Sequence, residues 1–319
     1  LILLHCQDLL SRDPSGGRPT RIVQFETLNE GIRAGVMEDG AIHDLTDVDG
    51  KLSSFLEILK ESYRRNMSVE SFVSSLIRKS ALKIYRYDPL AGFPTSERAC
   101  LRMPCQPPEV WGCGVTYIRS KQAREMETTT KGIYDKVYEA IRPEVFFKAT
   151  ASRCVGPNEP ICIRSDSKWT VPEPELAFIV GMRNEIVGYT IGNDVSARDI
   201  EGENPLYLTQ AKIYKGCCAV GPVITTPEEI GNPNDLGIEC KIFRENKPVF
   251  EGKISTSRMR RSVDELRSYL CQDNPVPPGT LCLTGTGVVP PDDLSLKHGD
   301  LVEITIEKIG TLHNPVMQL

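Results

Sequence analysis

Two glutamates stand one residue apart in an apolar segment, residues 171–180 (VPEPELAFIV), which has the composition of a buried strand. Successive side chains of a strand point to opposite faces, so Glu173 and Glu175 would share one face about 7 Å apart. Two like charges on a part-buried face repel each other, and burial adds a desolvation cost. The spacing therefore predicts either a cation between these carboxylates or a strand end that lies in open water.

The segment that follows places a third carboxylate. Residues 186–194 (IVGYTIGND) are again β-rich, and the intervening GMRNE suits a hairpin turn. If Arg183 and Asn184 form a two-residue turn, Asp194 lies opposite Glu173, ~4.5–5.5 Å away at Cβ and on the same face. A turn one residue longer or shorter would send Asp194 to the other face. The expected register thus brings three carboxylates together.

Three carboxylates without a histidine or a cysteine form a hard oxygen site. Such a site suits Mg²⁺, Mn²⁺ or Ca²⁺, with water or substrate oxygens in the remaining positions. The alternative is a solvated acidic edge that holds no ion. The placement of Asp194 by the hairpin favours the metal site over this alternative.

Further motifs follow these acids in order along the chain. They are NDVSARD at residues 193–199, QAK at 210–212, TGTG at 284–287 and IGTLHNPV at 309–316. Together with the glutamate pair, this order resembles the fumarylacetoacetate hydrolase superfamily over roughly residues 108–316. The resemblance implies a predominantly β catalytic domain, a mixed β-sandwich roll, that generally assembles as a homodimer.

The resemblance also implies roles for individual residues. Glu173, Glu175 and Asp194 match the ligands of one divalent metal ion, usually Mg²⁺. Lys212 matches a lysine beside that ion, and Arg198 matches an arginine that helps to hold the metal-binding aspartate. The implied substrates are acids with a 2-oxo or 1,3-dioxo group, whose enolate a bound metal stabilises. The alternative for Lys212 is a structural counter-ion to the carboxylates.

One departure concerns the water-activating residues of the superfamily's hydrolytic branch. That branch carries a histidine–glutamate pair in its lid, and residues 114–125 (GVTYIRSKQARE) place Ser120 in the histidine position. A serine hydroxyl is not a general base near pH 7. A C–C bond hydrolase or a decarboxylase of dioxo acids would therefore need a different base. A family member that only binds a metabolite is a further alternative.

Two other segments resemble the sugar-acid branch of the superfamily. They are residues 142–149 (RPEVFFKA) and 201–207 (EGENPLY). This branch implies a dehydratase (a hydro-lyase) of 2-keto-3-deoxy sugar acids, with Glu144 as the acid/base. Proton transfer at neutral pH requires a raised carboxyl pKa, which burial between apolar neighbours would supply. The alternative for Glu144 is a surface carboxylate paired with Arg142.

Three residues are candidates for binding the substrate carboxylate. Arg119 and Lys148 carry the required positive charge, and each has the alternative of being only an exposed basic residue. Thr286 lies between two glycines, which let backbone approach a ligand, although an ordinary turn has the same sequence. The polar segment 118–140 is expected to be a mobile lid that closes over substrate, or else an exposed helix.

The predicted secondary structure changes near residue 105, which indicates a domain boundary there. Residues 21–105 contain a strand at 21–25, an Asp-Gly hairpin signal and two apolar helical stripes, which predict a small α+β domain. A proline-rich link follows, and residues 106–319 consist of short strands separated by turn residues. The predicted class is α+β with a mostly β catalytic domain, preceded by a loose tail over residues 1–20.

Composition narrows the function classes. The net charge of −5 over 319 residues argues against nucleic acid as the main partner, and no apolar run reaches the roughly 18 residues that suggest a membrane span. The eleven cysteines are scattered without a C-x-x-C pair, which indicates reduced thiols and a cytoplasmic location. The expected partner is the small 2-oxo acid that the family resemblance implies.

Overall fold

A computed structural model of the chain describes residues 20–38, 40–79, 81–87, 92, 95 and 98–319. The tail expected over residues 1–20 lies outside these ranges, apart from Thr20. None of the helices in the described ranges combines the length and the apolar character that crossing a membrane requires.

Strands dominate the described residues, as expected. The strands are β1 (Arg21–Thr27), β2 (Gly31–Glu38), β3 (Ala41–Asp44), β4 (Ile84–Tyr87), β5 (Arg98–Arg102), β6 (Val110–Gly114), β7 (Glu144–Ala149), β8 (Cys154–Val155), β9 (Ile161–Ile163), β10 (Thr170–Val171), β11 (Pro174–Val180), β12 (Ile186–Asp194), β13 (Ser196–Ala197), β14 (Cys218–Thr225), β15 (Gly237–Arg244), β16 (Lys247–Ser255), β17 (Leu281–Leu283), β18 (Leu301–Ile306) and β19 (Gly310–Gln318).

The helices are short and lie between the strands. They are α1 (Phe55–Arg64), α2 (Val69–Lys79), α3 (Ile118–Glu127), α4 (Ile133–Glu139), α5 (Arg198–Glu203), α6 (Leu208–Lys212), α7 (Pro227–Ile230) and α8 (Val263–Cys271). The two helical stripes of the first hundred residues correspond to α1 and α2. Ser54 caps α1 by accepting from the Glu57 amide, and Ser68 accepts from the Ser71 amide at the start of α2.

The largest sheet runs in the order β2-β3-β4-β5-β1-β14-β12-β11-β17-β6-β7. Its first five strands close on themselves because β1 also pairs with β2. The link to the later strands is the antiparallel pairing of β1 with β14, at Arg21↔Thr225 and Ile22↔Ile224. A second sheet, in the order β16-β15-β18-β19-β9, contacts the first where β15 packs on β11. The proposed boundary near residue 105 stays a prediction.

The apolar segment that opened the sequence analysis becomes β11, in the middle of the large sheet. All seven residues from Pro174 to Val180 are buried, because β12 and β17 flank the strand and other layers cover both faces. A strand covered on both faces has a continuous apolar sequence instead of an alternating one. This burial fixes the position of the carboxylates at its beginning.

The turn between β11 and β12 differs from the predicted two-residue turn. The Gly181 amide donates to the Glu185 carbonyl at 2.7 Å, which leaves three residues in the turn, and Asn184 adopts a left-handed φ of 62° there. The two-residue turn is therefore wrong. A three-residue turn alone would have moved Asp194 to the other face of the sheet.

A β-bulge restores the predicted register. Val180 pairs with Ile186 while Ile179 pairs with Gly188, so one extra residue lies in β12 at this point. Beyond the bulge the pairing is the predicted one, and the Asp194 amide donates to the Glu173 carbonyl at 2.9 Å. The bulge thus cancels the shift that the longer turn introduces, and bulges are common next to functional sites.

Candidate metal centre and active-site cavity

The three predicted carboxylates converge. Glu173, Glu175 and Asp194 are 4%, 2% and 1% exposed. Each offers an oxygen atom, and these atoms all lie within 4.8 Å of one another. Such burial excludes the solvated acidic edge, so the repulsion between the three groups must be balanced by cations.

Lys212 supplies the first of these cations. It ends α6, and its ammonium donates to Glu173 Oε2 and to Asp194 Oδ2, both at 2.9 Å, and to Ser196 Oγ at 2.6 Å. The same nitrogen lies 5.6 Å from the centre of the Phe146 ring. A cation was predicted between the carboxylates, and the ammonium group of Lys212 takes that place.

Two arginines neutralise the other side of Glu173. Arg124 Nη2 donates to Glu173 Oε1 at 2.5 Å, and Arg198 Nη2 donates to the same oxygen at 3.1 Å. Burial alone would raise the pKa of Glu173, but Lys212, Arg124 and Arg198 together hold it below its usual value. Arg198, expected beside the metal-binding aspartate, instead pairs with Glu173 and with Glu127, at 2.7 Å.

Lys148 neutralises Asp194 from within the sheet. Its ammonium lies 2.5 Å from Asp194 Oδ1 and donates to the carbonyls of Val195, at 3.0 Å, and Lys212, at 2.6 Å. The side chain is fully buried. Lys148 is therefore not available to bind the substrate carboxylate, the role that the sequence had predicted, because the three N–H donors of its ammonium group all have partners in the protein.

Glu175 has no cation of its own among the described ion pairs. Its Oε2 accepts from the Gly285 amide at 2.5 Å. Gly285 has a φ of 93°, and a Cβ atom there would lie 2.0 Å from Thr116 Oγ1, so only glycine brings this amide to the carboxylate. Burial, and then the charges of Asp194 and Glu173, raise the pKa of Glu175 well above its usual value.

These observations fit a divalent cation. The donor set is three carboxylates, which hard ions such as Mg²⁺ prefer. The protein neutralises Glu173 and Asp194 but leaves Glu175 with one backbone amide, so a further positive charge would complete the balance. Glu173, Glu175 and Asp194 are the residues that would hold the ion.

A cavity opens beside the three carboxylates. Its walls come from β6, β7, α3–α6 and the loop after β17. The lining residues are Cys113, Gly114, Val115, Ser120, Arg124, Tyr134, Glu144, Phe146, Glu173, Glu175, Asp194, Glu201, Leu208, Lys212, Gly285 and Thr286. No histidine is among these lining residues of the described chain.

Glu144 lies in this cavity at the start of β7. It pairs with Gly114 of β6, where a Cβ atom would lie 1.9 Å from Glu144 Oε2, so the glycine makes room for the carboxyl group. Burial, and then the charge of Glu201, raise the pKa of Glu144 to about 7, although Lys212 and Arg124 oppose the shift. The alternative pairing with Arg142 is not seen, because that guanidinium lies over the Tyr269 ring.

The remaining residues of the sequence analysis, Thr286, Ser120 and Arg119, lie at different places relative to the cavity. Thr286 lines the cavity, and its hydroxyl oxygen accepts from the Val288 amide at 3.2 Å. Ser120 also lines it, but its hydroxyl donates to the Tyr117 carbonyl at 2.8 Å. Arg119 is exposed on α3, outside the cavity lining, and its guanidinium donates to the Val289 carbonyl at 3.5 Å.

Three lining residues with charged or phenolic side chains were not singled out by the sequence analysis: Arg124, Tyr134 and Glu201. Arg124 and Tyr134 belong to the expected lid, where α3 and α4 pack on each other. Charged residues of a polar segment are normally solvated, so burial of Arg124 has no signal in sequence. Glu201 is the first residue of segment 201–207, which resembles the sugar-acid branch. Its place in that segment was the signal in the sequence that it could belong to the site.

Arg124 ties the lid to the metal centre, and its substitution should open the lid. Its guanidinium contacts Glu127, Glu173 and Glu201 at 2.8, 2.5 and 3.4 Å. We expect Arg124→Met to accelerate proteolytic cleavage within residues 118–140 by at least tenfold, since leaving buried carboxylates unpaired costs about 3–5 kcal/mol. The matched control is Arg119→Met on the same helix, which should be cleaved like the parent chain. Equal cleavage of both variants would contradict this role.

Comparisons with known proteins agree with this geometry. The family model described as fumarylacetoacetate (FAA) hydrolase C-terminal matches residues 109–317. The chain is 55% identical over 217 residues to 2-dehydro-3-deoxy-D-arabinonate dehydratase of Saccharolobus solfataricus, covering 67% of this chain and 73% of that protein. It is 44% identical over 284 residues to a probable 2-keto-3-deoxyxylonate dehydratase of Haloferax volcanii, covering 89% and 95%.

A solved structure shares the fold over nearly the whole chain. It is 2-keto-3-deoxy-D-arabinonate dehydratase complexed with magnesium and 2,5-dioxopentanoate, with a TM-score of 0.75, 42% identity and coverage of 95% of this chain and 99% of that one. The chain belongs to the fumarylacetoacetate hydrolase family.

Proposed function

We propose that this chain is a divalent-metal-dependent dehydratase that removes water from 2-keto-3-deoxy sugar acids. The observation that carries the proposal is a single cavity in which the buried carboxylate trio, Lys212 and Glu144 meet without a histidine. The similarity to sugar-acid dehydratases, one of them holding magnesium, supports this reaction and Mg²⁺ as the ion. A water-activating hydrolase has less support because Ser120 stands where the hydrolytic branch carries its histidine.

The head of the substrate is expected at the trio. When bound there, a divalent ion supplies electrophilic stabilisation for the negative charge that develops on the 2-oxo group. Lys212 adds a fixed positive charge at the same place, because its ammonium is held by Glu173, Asp194 and Ser196. The Thr286 hydroxyl at the cavity wall is proposed to bind the substrate carboxylate. Lys148 and Arg198 position Asp194 and Glu173.

Glu144 is proposed to move the proton that accompanies loss of water. In its ionised form it takes a proton from C3, which the 2-oxo group makes acidic, and it then donates that proton to the departing C4 hydroxyl. One carboxyl group can perform both transfers near neutral pH because its pKa is about 7. Loss of water from a 2-keto-3-deoxypentonate then leads to 2,5-dioxopentanoate.

The pH dependence follows from this role. The reactive form is the ionised carboxyl group, whose population falls as the pH drops below the folded-state pKa of about 7. We expect kcat/KM to fall tenfold per pH unit on the acid side of that value. Glu144→Gln should lower kcat by about 10²–10⁴, the usual worth of a general acid/base, and remove this acid limb. A variant that keeps the limb would exclude Glu144 as the titrating group.

Product analysis tests the proposed reaction. The chain is incubated with 2-keto-3-deoxypentonates, 2-keto-3-deoxyhexonates and 2,4-dioxo acids, each with Mg²⁺ and with EDTA, and the products are identified by NMR. We expect a dioxo acid formed by loss of one water, from the sugar acids and only with Mg²⁺. Two smaller acids would indicate hydrolysis, and an absence of turnover with a confirmed bound metal would reject the enzyme assignment.

We also propose the finer organisation of the protein. Residues 21–105 form a small α+β domain beside the catalytic domain at 106–319, supported by the closed set of strands that α1 and α2 accompany. The ten described cysteines are free thiols, which supports a reducing, cytoplasmic location. A homodimer is expected from the family. Light scattering should give twice the 35.5 kDa of one chain.

A further inference from the structure

A second carboxylate, Glu201, lies in the same cavity as Glu144. It is 4% exposed and belongs to α5. Its Oε1 lies 3.4 Å from Arg124 Nε. Among the described residues, none donates a hydrogen bond to its Oε2, which is fully enclosed. A buried carboxylate oxygen without a partner carries a free-energy cost, which suggests that a ligand completes it.

Glu201 reaches the cavity from a different element than the trio does. The trio comes from the start of β11 (Glu173 lies just before it) and the end of β12, whereas Arg124 and Tyr134 come from α3 and α4 and Glu201 and Leu208 from α5 and α6. Arg124 bridges the two ends, because its Nη2 contacts Glu173 while its Nε contacts Glu201. A 2-oxo acid whose head lies at the trio would extend its hydroxylated tail towards Glu201.

The chemistry of the expected product requires a second proton-transfer group at that tail. Loss of the C3 proton and the C4 hydroxyl from 4,5-dihydroxy-2-oxopentanoate gives 5-hydroxy-2-oxopent-3-enoate. That compound has the same formula as 2,5-dioxopentanoate, but its C5 still carries two hydrogens whereas the aldehyde carbon carries one. One hydrogen must therefore leave C5 after water has gone.

We propose that Glu201 is a second catalytic base, which removes a proton from the substrate carbon beyond the leaving hydroxyl and converts the enone alcohol into the dioxo acid. This inference rests on the dehydratase function proposed above. The assignment uses the unpaired Oε2, the only oxygen of that carboxylate left free by Arg124.

The step balances with this one base. Glu201 Oε2 takes a C5 proton, the C5–H electrons form the C4=C5 bond, the C3=C4 electrons form C2=C3, and the 2-oxo oxygen takes the negative charge. Glu201 returns the proton to C3, which restores the 2-oxo group and leaves an enol at C4=C5. That enol becomes the aldehyde when its hydroxyl proton is lost and C4 gains one. No oxidant or further reactant is needed.

The neighbours of Glu201 suit this role. Arg124 holds the carboxylate in place from the lid side. Burial, and then the charge of Glu201, raise the pKa of the Tyr134 hydroxyl, which therefore remains a proton donor that can bind the substrate's tail. The charge of Glu201 also contributes to the raised pKa of Glu144. Pairs of carboxylates in different environments commonly divide acid–base work.

The test compares Glu201→Gln with Glu203→Gln, the exposed glutamate two residues further along α5. Each full-length variant is incubated with Mg²⁺ and 2-keto-3-deoxyarabinonate deuterated twice at C5, and NMR follows both the enone alcohol and the dioxo acid. We expect Glu201→Gln to release 5-hydroxy-2-oxopent-3-enoate with both deuterons, and to form 2,5-dioxopentanoate on the order of a hundredfold more slowly. Glu203→Gln should behave as the parent chain.

The outcomes separate this inference from the proposed function. If the parent chain removes no water, the dehydratase function fails and this inference with it. If water loss is normal but Glu201→Gln forms the dioxo acid at the parent rate without the enone alcohol, the inference alone is wrong. Should Glu201→Gln not fold, Glu201→Asp takes its place, because it keeps the carboxylate but withdraws it from C5: it should lose water like the parent chain and form the dioxo acid more slowly, and formation of the dioxo acid at the parent rate would contradict the inference.

Discussion

Replacing Lys212 with methionine is expected to lower kcat/KM for dehydration by about 10²–10³-fold, the range found when one preorganised donor to a developing oxyanion is removed. The ammonium is held at 2.9 Å from both Glu173 and Asp194, so its charge is fixed where the 2-oxo group is expected. Methionine has a similar length and fills the space beside Phe146 without the charge. Steady-state kinetics with saturating Mg²⁺ measure the loss.

The same substitution separates a catalytic lysine from a structural counter-ion. A counter-ion alone would be replaced by excess Mg²⁺, so activity would return with metal concentration. A catalytic charge would not be replaced, and kcat would stay low while the melting temperature recovers. Lys215→Met, at an exposed neighbour of the same type, is the matched control and should leave both quantities unchanged. Full rescue of kcat by Mg²⁺ would contradict the catalytic role.

The second large effect concerns Glu175, the carboxylate without a cation partner. We expect Glu175→Gln to abolish measurable Mg²⁺-dependent turnover, because the trio loses one of its three charges. The same change should raise the melting temperature of the metal-free chain, since burial beside Asp194 and Glu173 disfavours the charged Glu175. A gain of about 1 kcal/mol should appear as an increase of about 2 °C or less in this chain of 319 residues, because the shift is roughly 2–4 °C for 150–250 residues and falls with length.

Opposite effects on stability and on metal binding would distinguish a functional carboxylate from a structural one. In the parent chain, Mg²⁺ should raise the melting temperature, and in Glu175→Gln this increase should disappear. Glu251→Gln, on the exposed part of β16, is the control and should retain the increase. If Glu175→Gln instead destabilises the metal-free chain and keeps the response to Mg²⁺, Glu175 is not a ligand.

The sequence allowed the carboxylate trio to be predicted because it depends on local patterns. A two-residue periodicity placed Glu173 and Glu175 on one face, and strand pairing placed Asp194 opposite Glu173. The turn was predicted wrongly, because the amino-acid sequence of this segment does not distinguish a two-residue turn from a three-residue turn followed by a bulge. The prediction of the register succeeded because the burial of β11 admits only one alignment of its faces.

The cations of the site could be predicted less completely than its carboxylates. Lys212 was identified through the family pattern, whereas the buried position of Lys148 depends on strands that are distant in sequence. Arg124 lies on a polar helix that looks solvated, and only the folded lid brings it to Glu173. Long-range packing decides such positions, and local propensity carries no information about them.

The most direct measurement of the central claim is anomalous diffraction from crystals of the chain soaked with Mn²⁺, which takes the place of Mg²⁺ at oxygen sites. The account predicts one strong peak per chain, with carboxylate oxygens of Glu173, Glu175 and Asp194 at bonding distance. No peak there in crystals of a chain that dehydrates sugar acids in solution, or a peak bound by other residues, would contradict it.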